Sequence, residues 1–532
     1  MLRPTQLVNI PKDKGIHIKP AGKKKEKYVY KYVSYYRNEN KEPRNKAKSI
    51  GKFDEATGKL IPNKNYFEMY KVHDLLLNVL IWNYGYTYLI EKISKDIGLF
   101  DCLVAGFGEE RSVELLTLSA YVIRQGNIMD GVCDWQEKQF NPHLKHKLTS
   151  QRCSDIIGNI SEDMKQEFFI KWINVSLTKG GVFYYDVTSF SSHSNEMTDI
   201  ERGYNRDKEK LNQSNMGMFC DETTRLPVYY ERYNGSLTDK TNLPYTMENA
   251  RRLGIKNIKL ILDGGFFDKK CLKSIKKYCD SFTVGMPTHL KEAKLILNEH
   301  REGIDSYTYE IDKHTYAKSI DITMFGMSGR IIVFYDALNR VFLCDDLSAY
   351  IERLVDELES LKKYPASKLS RYKPYFTLTK HEDGVGFDYV LDFDKVEDAR
   401  KNKGFFLLFT TDMISSPADL LYYYRAKDAD EKIFSQIKTD LGNRRFRTHN
   451  KNTTDGKSFL MFISCILRTY LLKQLSPYLS ARSMSLTKAL NQLDNIMIIE
   501  DDGIKRFTKA LTKKQKDILS FFDADKKILD SL

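Results

Sequence analysis

Hydrophobic and polar positions change their period several times along this chain, and each change marks a boundary. Within residues 1–70 the run YVYKYVSYY (28–36) alternates, a polar break NENKEPR (38–44) follows, and a second short extended run comes after it. Alternation around a polar turn predicts a small β-hairpin unit. Over 71–175 the period becomes helical, in HDLLLNVLIWNYGYTYLIEKI (73–93) and VELLTLSAYVIRQG (113–126), with Trp135 in a further amphipathic stretch. Residues 176–288 read as the first part of an α/β core. It holds a strand GVFYYDVTSF (181–190), a hairpin of MGMFC (216–220) and LPVYYERY (226–233) around DETTR (221–225), and a helix at 241–253. Strand NIKLILDGGFF (257–267), a helix at 268–278 and strand SFTVGMP (281–287) complete that part.

Residues 289–403 read as a β-rich insertion, with SYTYEI, SIDITMF, IIVFYDA and VFLCDD as strands and one helix at 347–363. FFLLFT (405–410) returns the chain to the second part of the core, 404–475, and 476–532 reads as a polar, mostly helical tail. In the second part a helix begins at a marked start, with Ser416 as N-cap, Pro417 as first helical residue and Asp419 as a first-turn acid. Tyr424, Lys427, Glu431 and Lys438 fall within an arc of about 60° on that helix. Ile433, Phe434, Ile437 and Leu441 form a neighbouring apolar stripe. A carboxylate flanked by cations suits a metal ion beside a phosphate; taken alone, the stripe is better explained as a solvated helix face.

Two further acids give the stripe company. The 181–190 strand delivers Asp186, and Ile258, Leu260 and Leu262 alternate up to Asp263, where Gly264 and Gly265 allow a tight turn. Both acids read as strand-end residues. Three converging carboxylates are what two divalent ions need to hold a phosphodiester between its attacking and leaving oxygens.

Charge fits a polyanionic partner. The 532 residues carry 84 Lys+Arg against 71 Asp+Glu, a net charge of +13 with pI near 9.0. The excess is concentrated between Lys12 and Lys48, where 13 basic residues meet 4 acidic ones. The eight cysteines form no CxxC pair and read as reduced, mostly buried thiols, and no GxxxxGK[ST] or GxGxxG segment implies a nucleotide. No apolar run reaches the ~18 residues expected of a membrane helix and no secretory segment opens the chain, so an intracellular, soluble protein is expected.

Asp186, Asp263 and Glu431 resemble the catalytic triad of DDE transposases from bacterial insertion sequences, which have a ribonuclease-H-like core. The spacing Tyr424-x2-Lys427-x3-Glu431-x6-Lys438 is similar to the Tyr/Arg/Glu/Lys signature of the insertion-sequence-four type, with Lys427 where that signature has Arg. YDVTS, LDGGF and RRFRTH (444–449) resemble segments of the same group, and the likeness extends over roughly 180–475. A β-rich insertion between second and third acids is similar too. The resemblance implies an α/β, ribonuclease-H-like catalytic core interrupted by that insertion; the charge and alternation of residues 1–70 read as a basic β unit that binds DNA, and 71–175 as a helical domain. It implies Mg²⁺ (or Mn²⁺) held by Asp186, Asp263 and Glu431. It also implies phosphates held by Tyr424, Lys427 and Lys438, a basic surface extended by Arg444, Arg445 and Arg447, and self-association into a dimer on double-stranded DNA. The expected activity is cleavage of the element's terminal inverted repeats and joining to target DNA, in a bacterial cytoplasm on the nucleoid. A catalytically silent DNA-binding derivative and a metal-dependent nuclease without strand transfer share these features.

Overall fold

The structure is a computed structural model describing residues 7–21, 26–70, 80–177, 181–194, 197–382, 385–501 and 504–531, without the side chains of 428–431 and 501. The chain divides into two compact units, one of 1–83 with 496–510 and 532, the other of 84–495 with 511–531.

In the first unit the expected hairpin is part of a four-stranded antiparallel sheet. Strands β1 (Ile16–Ala21), β2 (Glu26–Arg37), β3 (Pro43–Asp54) and β4 (Lys59–Pro62) follow one another in sequence order. Val29, Ile50 and Leu60 are buried against Tyr66 of helix α1 (Lys64–Tyr70). Residues 71–79, at the start of the long helix expected over 73–93, lie outside the described residues. Leu80–Asn83, expected inside that helix, is instead strand β5, because Met497–Asp501 pairs with it; Ile504–Phe507 adds a third strand. The partner lies far along the chain, in a tail that reads as helical.

The second unit opens with helices α2 (Gly85–Asp96), α3 (Leu99–Phe107), α4 (Glu109–Gln125), α5 (Val132–Glu137), α6 (Ser150–Gly158) and α7 (Glu162–Ser176). Its sheet begins with β6 (Val182–Ser192), β7 (Asn212–Asp221) and β8 (Pro227–Asn234), an antiparallel meander. Helix α8 (Asp239–Arg252) leads to β9 (Lys259–Leu262), and α9 (Lys269–Ile275) leads to β10 (Ser281–Met286). Parallel pairing of β6 with β9 and of β9 with β10 requires these crossover helices. After α10 (Lys291–His300) come β11 (Glu310–Asp312), β12 (Thr315–Met324) and β13 (Met327–Asp336).

VFLCDD (341–346), expected as strand, lies inside helix α11 (Ala337–Ser360). Asp336 caps that helix, and Cys344, Leu347, Ile351, Leu354 and Leu358 bury at helical spacing. Helix α12 (Leu369–Tyr372), the β14–β15 hairpin (Phe376–Lys380 with Phe387–Leu391) and α13 (Phe393–Lys401) pack on it before β16 (Phe405–Thr410). The sheet order is β11-β12-β13-β16-β10-β9-β6-β7-β8, so β11 to β13 extend the core sheet through β16.

Helix α14 (Pro417–Ala426) starts at the expected capping box of Ser416 and Asp419. The single helix expected through Lys438 is interrupted: α14 ends at Ala426, α15 spans Asp428–Ser435, and Gln436–Asp440 winds as a π-helix. The Arg225 guanidinium donates to the Ala426 carbonyl at 3.1 Å, which takes that acceptor out of the α-helical ladder. Lys427 keeps helical dihedrals, so the chain direction carries through. After β17 (Arg445–Phe446), helix α16 (Lys451–Ala481) runs through the core, followed by α17 (Leu486–Asp494) and α18 (Lys513–Ser520).

By length and composition α16 is apolar enough to cross a membrane, contrary to the reading of the sequence, yet 78% of its apolar window is buried inside the protein. Phe459 and Phe462 meet Phe168, Phe169 and Tyr230 there, and Trp172 donates to the Pro227 carbonyl at 2.9 Å. All eight cysteines are free thiols and seven are buried, as expected. Gly456 of α16 lies against α6, where an added Cβ would stand 1.9 Å from the Ile157 carbonyl oxygen. We expect Gly456→Ala to destabilise the protein by roughly 1–3 kcal/mol in denaturant titrations, since backbone must move to admit the methyl.

Candidate active site

The register of the parallel strands brings the first two acids together. Tyr184 faces Ile261 and Tyr185 faces Leu262, so the next step along each strand sets Asp186 beside Asp263. Strand periodicity puts Val182, Tyr184 and Asp186 on one face of β6, and Val182, Tyr184 and Ile261 pack beneath Tyr423, Tyr424 and Ala426 of α14. The two carboxylates therefore point toward the layer that carries α14 and α15. Asp263 stands just past β9, as expected. Asp186 does not end its strand: β6 continues to Ser192, because β7 pairs with it along its whole length, with Asp186 opposite Met218. Each carboxylate accepts a hydrogen bond from the next residue's N–H, Val187 and Gly264 respectively, both at 2.8 Å.

Lys427 is buried, and its Nζ lies 3.6 Å from Asp263 Oδ1. Burial pushes the Asp186 carboxyl above its ordinary value; the Val187 N–H, the Lys427 ammonium and the Arg206 guanidinium oppose that shift, and Asp263 adds to it. Tyr424 reaches the same place. Its hydroxyl lies over Gly285 of β10, where an added Cβ would stand 2.4 Å from it and 3.2 Å from the Gly264 nitrogen. A glycine inside a strand signals close approach, and that signal in SFTVGMP went unused. Glu431 lies in α15, four residues beyond Lys427, with its side chain outside the described part of the structure. Among the described residues no three His, Cys, Asp or Glu side chains converge on one point, and Asp186 and Asp263 are the two carboxylates that the strand register brings together. Paired carboxylates with a half-buried, charge-disfavoured member fit a hard divalent cation.

Three of the remaining predicted cations meet the loop joining β6 to β7. Lys438, on the π-helical turn, binds Asp207 at 2.8 Å. Arg445, whose strand pairs with Ser191 and Ser192 at the far end of β6, holds Glu209 at 2.8 Å, and Arg444 lies 4.0 Å from the same carboxylate. The Arg445 guanidinium keeps Glu209 below its usual value. Arg447 is exposed, and its charge adds to burial in lowering the Lys457 ammonium to about 8. Two site residues escaped the sequence reading. Arg206 donates its N–H to Ser189 Oγ and ion-pairs with Asp239, which also accepts from Tyr233. Arg225, besides holding the Ala426 carbonyl, lies over the Tyr184 ring with its guanidinium 5.5 Å from the centroid. Nothing in a surface turn such as DETTR marks an arginine for that task.

Against known families, the profile described as "Transposase DDE domain" matches residues 178–467, more than half of the chain. The chain belongs to the DDE transposase family. Enzymes of that family cut and join DNA and use divalent metal ions. No curated protein matches the chain. Among solved structures, a piggyBac transposase synaptic complex with hairpin DNA is similar at 10% identity with a TM-score of 0.34, over 87% of this chain and 81% of that one.

Two outcomes follow from these charges. A raised folded-state pKa means that the metal-free protein binds the Asp186 proton more tightly than the unfolded chain does. That contribution to stability is full below the unfolded value, 3.8, and is lost as pH rises through the raised one. Asp186→Asn should therefore flatten the fall in metal-free thermal stability across that window, as read by thermal melts in chelator. Glu209→Gln should release Arg444 and Arg445 and raise affinity for duplex DNA in a low-salt binding titration.

Proposed function

We propose that this transposase cleaves the ends of its own insertion sequence and joins them to target DNA, with Asp186, Asp263 and Glu431 as its catalytic carboxylates. The observation that carries the reading is the side-by-side placement of Asp186 and Asp263 on neighbouring parallel strands, with the buried Lys427 ammonium against Asp263. The strand pattern supports a ribonuclease-H-like core: a three-stranded meander β8-β7-β6 continued by parallel β9 and β10. The order Tyr424, Lys427, Glu431, Lys438 supports the insertion-sequence-four type.

In this reading Asp186, Asp263 and Glu431 hold two Mg²⁺ ions. When bound, such ions neutralise the phosphodiester and favour both the attacking and the leaving oxygen. The chain's own side chains position the DNA. Tyr424, held over Gly285, offers its hydroxyl to a phosphate beside Asp263. Lys427 supplies a fixed positive charge where the scissile phosphate and the carboxylates meet, and the charge of Arg206, braced by Asp239, also favours the ionised Asp186. Lys438, Arg444, Arg445 and Arg447 continue the cationic track away from the acids.

Asp263→Asn should abolish Mg²⁺-dependent cleavage of end-bearing DNA while the protein stays folded and binds; cleavage at the wild-type rate would show the assignment to be wrong. For Lys427 the charge matters more than a planar fork, because a single ammonium already meets the carboxylate. Lys427→Ala should strongly reduce strand transfer and Lys427→Arg should keep most of it, measured by cleavage and joining assays run side by side. If the alanine variant joins normally, Lys427 is only a structural counter-ion.

A further inference from the structure

The β2–β3 pair runs well beyond the sheet that carries it. β1 pairs with β2 only over Glu26–Lys31, and β4 pairs with β3 only over Gly51–Asp54. The Tyr32 N–H still donates to the Gly15 carbonyl at 3.0 Å; beyond it Val33–Arg37 and Pro43–Lys46 pair with each other alone, a two-stranded ribbon of roughly 17 Å with Lys48 at its base. Nearly every residue on it is exposed.

Register and a bulge at Val33 assign its two faces. Tyr32 opposes Ala47 and Tyr35 opposes Asn45; Ser34 opposes Lys46 and Tyr36 opposes Arg44. One face therefore carries Tyr30, Tyr32 and Tyr35, which pack with His17 and with one another at ring separations of 4.4–5.8 Å. The other face carries Arg44, Lys46 and Lys48 at alternate positions, about 7 Å apart, together with Ser34 and the exposed Tyr36. Lys48 stands directly opposite Lys31, a like-charge cross-strand pair that costs stability, and Lys31 is answered by Asp13 at 2.6 Å. Arg44 meets Glu42 at 3.1 Å, while among the described residues Lys46 and Lys48 meet no carboxylate. Exposed cations at alternate positions on one face, two of them without a carboxylate among the described residues, suit an external polyanion.

We infer that this ribbon is a docking element for duplex DNA, entering the major groove with the Arg44–Lys46–Lys48 face toward the nucleic acid. A two-stranded ribbon fits a groove about 12 Å wide, and cations spaced along one strand can meet successive phosphates and guanine edges. The inference rests on the reading of the chain as a DNA-handling enzyme but not on its triad. It also separates the ribbon's tyrosines by face: Tyr30, Tyr32 and the largely exposed Tyr35 lie on the His17 face, and Tyr36 lies on the cationic face.

The test uses the full chain and a duplex of mixed sequence. Lys46→Ala/Lys48→Ala is compared with wild type, with Asn45→Ala on the opposite face and with Asp263→Asn. Both lysines are exposed, and thermal melts confirm that the variant is folded. Binding across a salt series should show the log–log slope of the double variant falling by about 2, near 0.9 per phosphate contact, with Asn45→Ala unchanged. Wild type should protect guanine N7 positions from dimethyl sulfate, and the double variant should not. An unchanged slope, unprotected guanines in the wild-type complex, or loss of binding to an RNA hairpin but not to duplex DNA would each overturn the proposal. Cleavage by Asp263→Asn together with a flattened slope in the lysine variant would instead remove the catalytic reading and leave the ribbon in place.

Discussion

A carboxylate withdrawn from water, with a second carboxylate on the neighbouring strand, is a costly thing to fold. Parallel pairing of β6 and β9 imposes that arrangement, because register alone fixes Asp186 beside Asp263. Moving either strand by one residue would send its carboxylate to the opposite face. The structure answers with cations brought from distant parts of the chain: Lys427 from the helical layer and Arg206 from the loop after β6. Burial is the leading cause of the upward shift on Asp186 and the neighbouring acid a smaller one, while Asp263 itself is more than half exposed.

The helical layer has to satisfy two demands at once. Leu420 and Leu421 bury against Ile332, Phe334 and Leu408, and Ile433, Phe434, Ile437 and Leu441 are buried further along. Between these anchored ends, Lys427 turns inward to the carboxylates. The interruption after Ala426, held open by Arg225, and the π-helical turn at Gln436–Asp440 let both ends stay buried. Irregular helix of this kind gathers at functional positions, where one side chain must be re-aimed without moving the rest.

Much of this was legible in the sequence, for physical reasons that differ by element. Strands β6 to β10 were readable because their apolar runs are short, β-rich and bounded by turn residues, and the start of α14 because Ser416, Pro417 and Asp419 satisfy exposed backbone groups locally. VFLCDD was misread since an apolar run of that length fits a strand or a half-exposed helix equally, and Val341 and Phe342 turn out to be exposed. β5 depends on a partner more than four hundred residues away, which no local pattern announces. The helix break escaped because its cause, Arg225, sits in a turn two hundred residues upstream. Asp186, Asp263 and Lys427 stood out in the sequence; Arg206 and Arg225 did not.

The central claim is that Asp186 and Asp263 form, with Glu431, one divalent-cation site. Equilibrium binding of Mn²⁺ to the DNA-free protein, followed by the loss of the free-ion electron paramagnetic signal, tests it most directly. The account predicts saturable binding in wild type that is weakened strongly and to a similar degree by Asp186→Asn, Asp263→Asn and Glu431→Gln, since each removes a ligand of the same site. Wild-type binding that survives any one of these substitutions unchanged would contradict it.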